Sequence, residues 1–284
     1  MTINHRAYDL ISLDDDIGPR FLNSQDRQSS DPSAFDAFST SPATQASATL
    51  LDTPYLLEPG DSTAISVNDI NQGQIGDCFL LASIGELALF HPTAITSMIH
   101  SNANDTETVT LYTASNGQLP SVNTSAFAPV NVSVTNSFPD YSVNNGVNQD
   151  VVGDLKEIWP QVLEKAVATL DGGYSAIMDG GSPLVAMEEL TGQSATYMSP
   201  AALTLAELNS FVSAGDLIAM DTPSTSGLPF NLVSDHAYML ENVTMQSGAA
   251  VLQFGNPWGF DQPTAIPLSQ LSRGVAEVDI GHVG

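Results

Sequence analysis

Cationic side chains are scarce in this sequence of 284 residues: six Lys and Arg stand against 32 Asp and Glu, a formal charge of −26. Nucleic-acid binding is excluded on that ground, because phosphate contacts need clustered Lys and Arg. Binding to an anionic membrane surface is disfavoured for the same reason. Cysteine occurs once, so neither an internal disulfide nor a Cys-based metal cage can form. No apolar run reaches the length of a spanning helix. The N-terminal stretch MTINHRAYDLISLDDD lacks the charged, apolar and small-residue regions of a secretory signal, so the expected location is cytoplasmic, or outside the cell by a route without a cleavable signal. Charged residues make up only 13% and apolar ones 42%, which argues for a folded chain with a sizeable core.

Residues 1–55 stand apart. SQDRQSSDPSAFDAFSTSPATQASAT has no sustained apolar period and reads as a disordered tail or a removable pro-segment. From Cys78 onward the pattern is helical, and CFLLASIGELALF is apolar on nearly every side, as in a buried helix. Gly76-Asp77 supplies a turn and an N-cap, and His91-Pro92 ends the helix. Residues 103–150 carry strand-like runs, ETVTLYTAS and PVNVSVTNSF. In IWPQVLEKAVATL the apolar residues fall at helical spacing, with a start near Glu157 and a stop at Asp171-Gly172-Gly173. Thr204 and Glu207 have capping-box spacing ahead of a short helix. DLIAMDT, HAYMLENV and AAVLQFG then read as strands. The order predicts an α+β architecture in two lobes: a helical one over 56–192 with a β-rich insertion near 103–150, and a β-rich one over 193–284.

A lone cysteine is most often a buried, inert thiol. Cys78 differs in its surroundings: it opens a helix, where free N–H groups and the helix dipole favour a thiolate. Gly73 and Gly76 allow close backbone approach, and the amides of Gln72 and Gln74 can donate to an oxyanion. Asp77 opposes thiolate formation unless its charge is occupied. His236 stands 158 residues after Cys78, close to the roughly 130–150 that separate Cys from His and Asn in papain-like enzymes. Asn256 follows in FGNPWG, and a side-chain amide accepting from the ring N–H fixes the tautomer of a histidine.

These segments resemble the calpain family of cysteine proteases. QGQIGDCFLL is similar to the family's Q-G-x-x-G-D-C-W, DHAYML to its G-H-A-Y-x-V, and GNPWG to its R-N-P-W-G. WPQVLEKAVATLDGGYSAI is similar to its W-x-x-L-L-E-K-A-Y-A-K-L-x-G-x-Y, and the later LTG matches as well. The motifs occur in the family's order from residue 61 to about 260.

The resemblance implies a papain-like fold with the Cys on the helical lobe and the His and Asn on the β-rich lobe. It implies Cys78 as nucleophile, His236 as general base and acid, Asn256 as its orienting partner and Gln72 as an oxyanion donor. Protein or peptide substrates follow, with no organic cofactor. Calcium aligns the two lobes in this family, and Asp69 and Glu164 match positions of its calcium ligands. Two departures stand out: Phe79 replaces the Trp after the nucleophile, and Asp235 replaces the Gly before the histidine. The other readings of the same residues are a catalytically silent calpain-like binding domain and a different acyl transfer on the same three side chains.

Overall fold

The computed structural model describes residues 51–57, 63–121, 124–144, 151–152 and 154–283. The tail through residue 50 lies outside them. Strand β1 (Leu51–Thr53) runs parallel to β6 (Leu155–Glu157), pairing Leu51 with Leu155, and β5 (Val151–Val152) completes a three-stranded sheet. Residues 51–55, read from composition as the end of the tail, therefore belong to the fold. Tyr55 anchors them by donating its hydroxyl to the Ile95 carbonyl.

Helix α1 (Cys78–Phe90) is buried from Cys78 to Ala88, as its all-round apolar sequence requires. His91 caps it, but the chain does not leave helical geometry for long. Pro92 sits at the first turn of α2 (Pro92–Met98), a second helix bent 112° from the first. A proline in a first turn forfeits no helical hydrogen bond, so His-Pro restarts a helix here as well as ending one. No single helix among the described residues is long and apolar enough to cross a membrane.

β2 (Ile99–Asn102), β3 (Thr106–Ala114) and β4 (Phe127–Thr135) form an antiparallel meander, with Val109 and Leu111 facing inward. Helix α3 (Trp159–Asp171) begins two residues later than the sequence suggests. It carries Pro160 in its first turn and ends at Gly172, whose φ of 106° suits glycine. Helix α4 (Pro183–Thr191) follows. β7 (Ala195–Met198) and α5 (Leu205–Ala214) come next, the helix closed by the expected Thr204–Glu207 capping box.

The remaining strands are β8 (Leu217–Asp221), β9 (Ala237–Gln246), β10 (Ala249–Gly255), β11 (Ile266–Pro267) and β12 (Glu277–Gly281). They form a six-stranded antiparallel sheet in the order β11-β10-β9-β8-β12-β7. Both faces of its centre are buried. Leu217 and Ala219 of β8 and Ala237 and Met239 of β9 join the apolar cluster around α1. The residues between them, Ile218, Met220, Tyr238 and Leu240, join a second cluster with Leu208, Phe254 and Ile280. This period-two split explains why DLIAMDT reads as continuously apolar. It also lays α1 against β8 and β9, with Gly85 so close to the Met239 side chain that a Cβ has no room. The architecture is α+β.

Candidate functional site

Cys78 is the first residue of α1 and only 5% exposed. Packing α1 on the sheet sets its sulfur beside the start of β9, where the Ala237 backbone hydrogen-bonds to it. Ala237 directly follows His236. Burial pushes the thiol up to about 12, the Ala237 bond opposes this, and the carboxyls of Asp221 and Asp77 add to it.

His236 is equally buried, and burial pushes its imidazole down to about 4, against the partial opposing effect of Asn256. Its Nε2 lies 2.9 Å from Asn256 Oδ1. That oxygen also accepts the Trp258 N–H at 3.0 Å, while Asn256 Nδ2 donates to the Asp261 carbonyl at 3.2 Å. The amide therefore has one orientation, and Oδ1 can only accept. Nε2 must carry the proton, which leaves Nδ1 as the basic nitrogen. Trp258 covers the pair, its ring 4.6 Å from the imidazole and stacked on Phe260.

Gln72 is buried in the turn before α1. Its N–H donates to the Pro257 carbonyl at 2.8 Å, tying the Cys-bearing segment to the N-P-W-G segment. Its Nε2 donates to the Ile75 carbonyl at 2.7 Å, and the amide lies against Asp77. Gly259, at a φ of 77°, abuts Asn71 where a Cβ has no space. A second link between the halves is less visible in sequence: Glu86, fully buried on α1, accepts the Ile218 N–H of β8 at 3.1 Å.

Asp77 occupies the N-cap position but makes no side-chain cap. Its carboxyl lies instead toward Glu164 on α3, and burial pushes it up to about 7, partly offset by the polar groups around it, Glu164 first. Glu164 is raised well above the ordinary carboxylate range, by burial first and Asp77 second. Its Oε1 accepts the Val143 N–H at 2.8 Å and its Oε2 the Tyr174 hydroxyl at 3.1 Å. Asp69 serves the loop: its Oδ2 accepts the Ser66 N–H at 2.7 Å and the Trp159 indole N–H at 3.0 Å.

Calcium needs several converging oxygens that are not already committed to N–H or O–H donors. Three of the four carboxylate oxygens of Asp69 and Glu164 are so committed. Among the described residues no group of three or more His, Cys, Asp and Glu is placed to hold a metal. The two carboxylates as arranged do not fit a calcium site.

Thr222 and Tyr238 also contact the His236 segment, through the hydrogen bonds of the Thr222 hydroxyl and the edge of the Tyr238 ring. Tyr238 belongs to the DHAYML segment, whereas the sequence drew no attention to Thr222. Asp235 adopts a φ of 50°, a left-handed conformation that glycine fills without strain.

A lone thiol opens a helix next to the backbone of Ala237, the residue that follows a histidine whose tautomer is set by an amide. The sequence profile described as "Calpain family cysteine protease" matches residues 57–265. The chain belongs to that family. It is similar to Calpain clp-4 of Caenorhabditis elegans, 28% identical over 74% of this chain and 29% of that protein. It is also similar to Calpain-13 of Rattus norvegicus, 30% identical over 67% of this chain and 29% of that protein. The Calpain-type cysteine protease DEK1 of Zea mays is 28% identical over 69% of this chain and 9% of that protein. The chain thus spans less than a third of the length of these relatives.

Proposed function

We propose that the chain is a cysteine endopeptidase that cleaves proteins or peptides through a thioester acyl-enzyme. Residues 56–192 and 193–284 act as two lobes of a papain-like fold, with Cys78 on one side of their junction and His236 and Asn256 on the other. The observation that carries the reading is the His236 Nε2–Asn256 Oδ1 bond, because it leaves Nδ1 as a base one residue from the backbone that touches the sulfur.

A peptide carbonyl brought to the sulfur gives the thiol proton a destination. Nδ1 of His236 takes it as the sulfur attacks the carbonyl carbon. The tetrahedral oxyanion is met by the Gln72 Nε2 hydrogen that the Ile75 carbonyl does not take and by the Cys78 N–H, a first-turn donor without a helical acceptor. Each such donor is worth about 10²–10³ in kcat in comparable sites. The imidazolium then protonates the leaving amine, and water hydrolyses the thioester with Nδ1 as base. Asn256 holds the ring throughout, and Trp258 keeps bulk water from the His–Asn bond.

The activity is independent of calcium. The segments that must meet are already joined by Gln72 N–H to Pro257 and by Glu86 to Ile218. A silent binding domain remains the rival reading, favoured by the buried thiol and its two acidic neighbours. Reaction with a peptidyl epoxide separates the two: wild-type protein is alkylated at Cys78 far faster than free cysteine under the proposal, and no faster in a silent domain.

A further inference from the structure

We infer that Thr222 is the positioning residue for His236, an inference that rests on the protease reading above. Asp221, the last residue of β8, pairs with Ala237, the first of β9. Thr222 and His236 form the next pair. The ladder continues through Thr222 N–H to the His236 carbonyl at 3.0 Å. The return bond is different. His236 N–H donates to the Thr222 hydroxyl oxygen at 3.0 Å, so a side chain takes the place of a main-chain acceptor.

The same hydroxyl gives its one proton to the Val233 carbonyl at 2.6 Å, the shorter of its two contacts; the His236 carbonyl is 3.1 Å away. The Thr222 hydroxyl thus joins both ends of the Val233–His236 segment, at the close of the connection from Pro223 to Asp235. That connection has no regular strand or helix, and Phe230, Asn231 and Asp235 are all at positive φ. Other bonds also hold it: Asp235 N–H donates to the Pro223 carbonyl at 3.3 Å, and Tyr238 Oη accepts the Val233 N–H at 2.8 Å, while the Tyr238 ring meets the imidazole edge-on at 4.8 Å.

The consequence is geometric. Asn256 fixes the rotation of the imidazole, but only the backbone of residue 236 fixes where the ring starts from. That backbone is held on both its N–H and its carbonyl by Thr222. A valine has nearly the same shape and cannot accept the His236 N–H or donate to Val233, so the histidine end of the loop keeps only the main-chain bond from the Thr222 N–H and loses its side-chain anchor. An ångström of misplacement at a base costs about 10²-fold in rate.

The test compares Thr222→Val and Thr222→Ser with wild type, with Cys78→Ala as control. The readouts are kcat and KM on a fluorogenic peptide library, per active site titrated, and the rate of epoxide alkylation at Cys78. The Val variant is expected to lose about 10- to 100-fold in kcat and in alkylation rate with little change in KM, and the Ser variant to recover both. A folded Val variant with wild-type kcat overturns the inference, as does a Ser variant as slow as the Val one. If the Val variant does not fold, Thr222→Ala decides, since it removes the same two hydroxyl bonds without a methyl packed beside the Val233 carbonyl. A drop in its kcat supports the clamp, and an unchanged kcat overturns it. Hydrolysis surviving in Cys78→Ala instead removes the protease reading itself, whatever the Thr222 variants do.

Discussion

His236 and Asn256 meet through one bond, Nε2 to Oδ1 at 2.9 Å, and that bond decides which imidazole nitrogen carries the proton. The Trp258 N–H on the same oxygen makes the choice unambiguous, because an amide NH₂ in that place has no acceptor to offer. Replacing Asn256 with Ala frees the ring to rotate and to take the other tautomer. The expected result is a fall in kcat of at least about 10²-fold with the fold retained, read by steady-state kinetics beside circular dichroism. Wild-type kcat in that variant contradicts the role.

Buried carboxyls set the stability profile. Burial pushes Asp171 up to about 6, Glu188 to about 7 and Asp221 to about 8, the last also raised by Glu277. In the unfolded chain such groups ionise near about 4. The fold holds their neutral forms, so their stabilising effect is complete below about pH 4 and lost as pH rises through 6 to 8. His236 works the other way. It is held down at about 4, and its neutral form supports the fold above an unfolded value near 6.5 and is lost as pH falls through 4. Several carboxyls outweigh one histidine, so calorimetry should give a lower Tm at about pH 8.5 than at about pH 5. A higher Tm at the alkaline pH contradicts this.

Calcium should leave the activity unchanged. Asp69 already holds Ser66 and Trp159, and Glu164 already holds Val143 and Tyr174. Equal kcat/KM with calcium and with a chelator is the expected result. Loss of activity in chelator, restored by calcium, contradicts it and returns those two residues to the role the family resemblance implies.

Asp235 offers a backbone test. At a φ of 50° an L side chain carries a steric cost of about 1–2 kcal/mol, less for Asp, that glycine escapes. Asp235→Gly should raise the unfolding free energy by about 0.5–1 kcal/mol in urea titration, with kcat retained. A destabilised variant shows that the Asp235 side chain contributes more than its conformation costs.

Much of this was legible in the sequence because it rests on local patterns. The unbroken apolar run of α1 announces burial, the Thr204–Glu207 spacing announces a cap, and the motifs around Cys78, His236 and Asn256 announce a family. What escaped depends on distant partners. Asp77 reads as an N-cap because Asp before a helix usually is one, yet its carboxyl faces Glu164, 87 positions away and invisible from spacing. Glu86 lies in a run read as apolar on nearly every side, and nothing local says that its carboxyl will accept the Ile218 N–H. Thr222 closes a strand-like run, and nothing local says that its hydroxyl will meet residue 236. His91-Pro92 was ambiguous for another reason, since proline both stops one helix and starts the next.

The most direct test is intact-protein mass after brief exposure to a peptidyl epoxide, with wild type, Asn256→Ala and Cys78→Ala side by side. The account expects one adduct on wild type, placed on Cys78 by peptide mapping, far slower labelling of the Asn256 variant and none of Cys78→Ala. Wild-type protein that reacts no faster than free cysteine, or as slowly as the Asn256 variant, contradicts an activated thiol at residue 78.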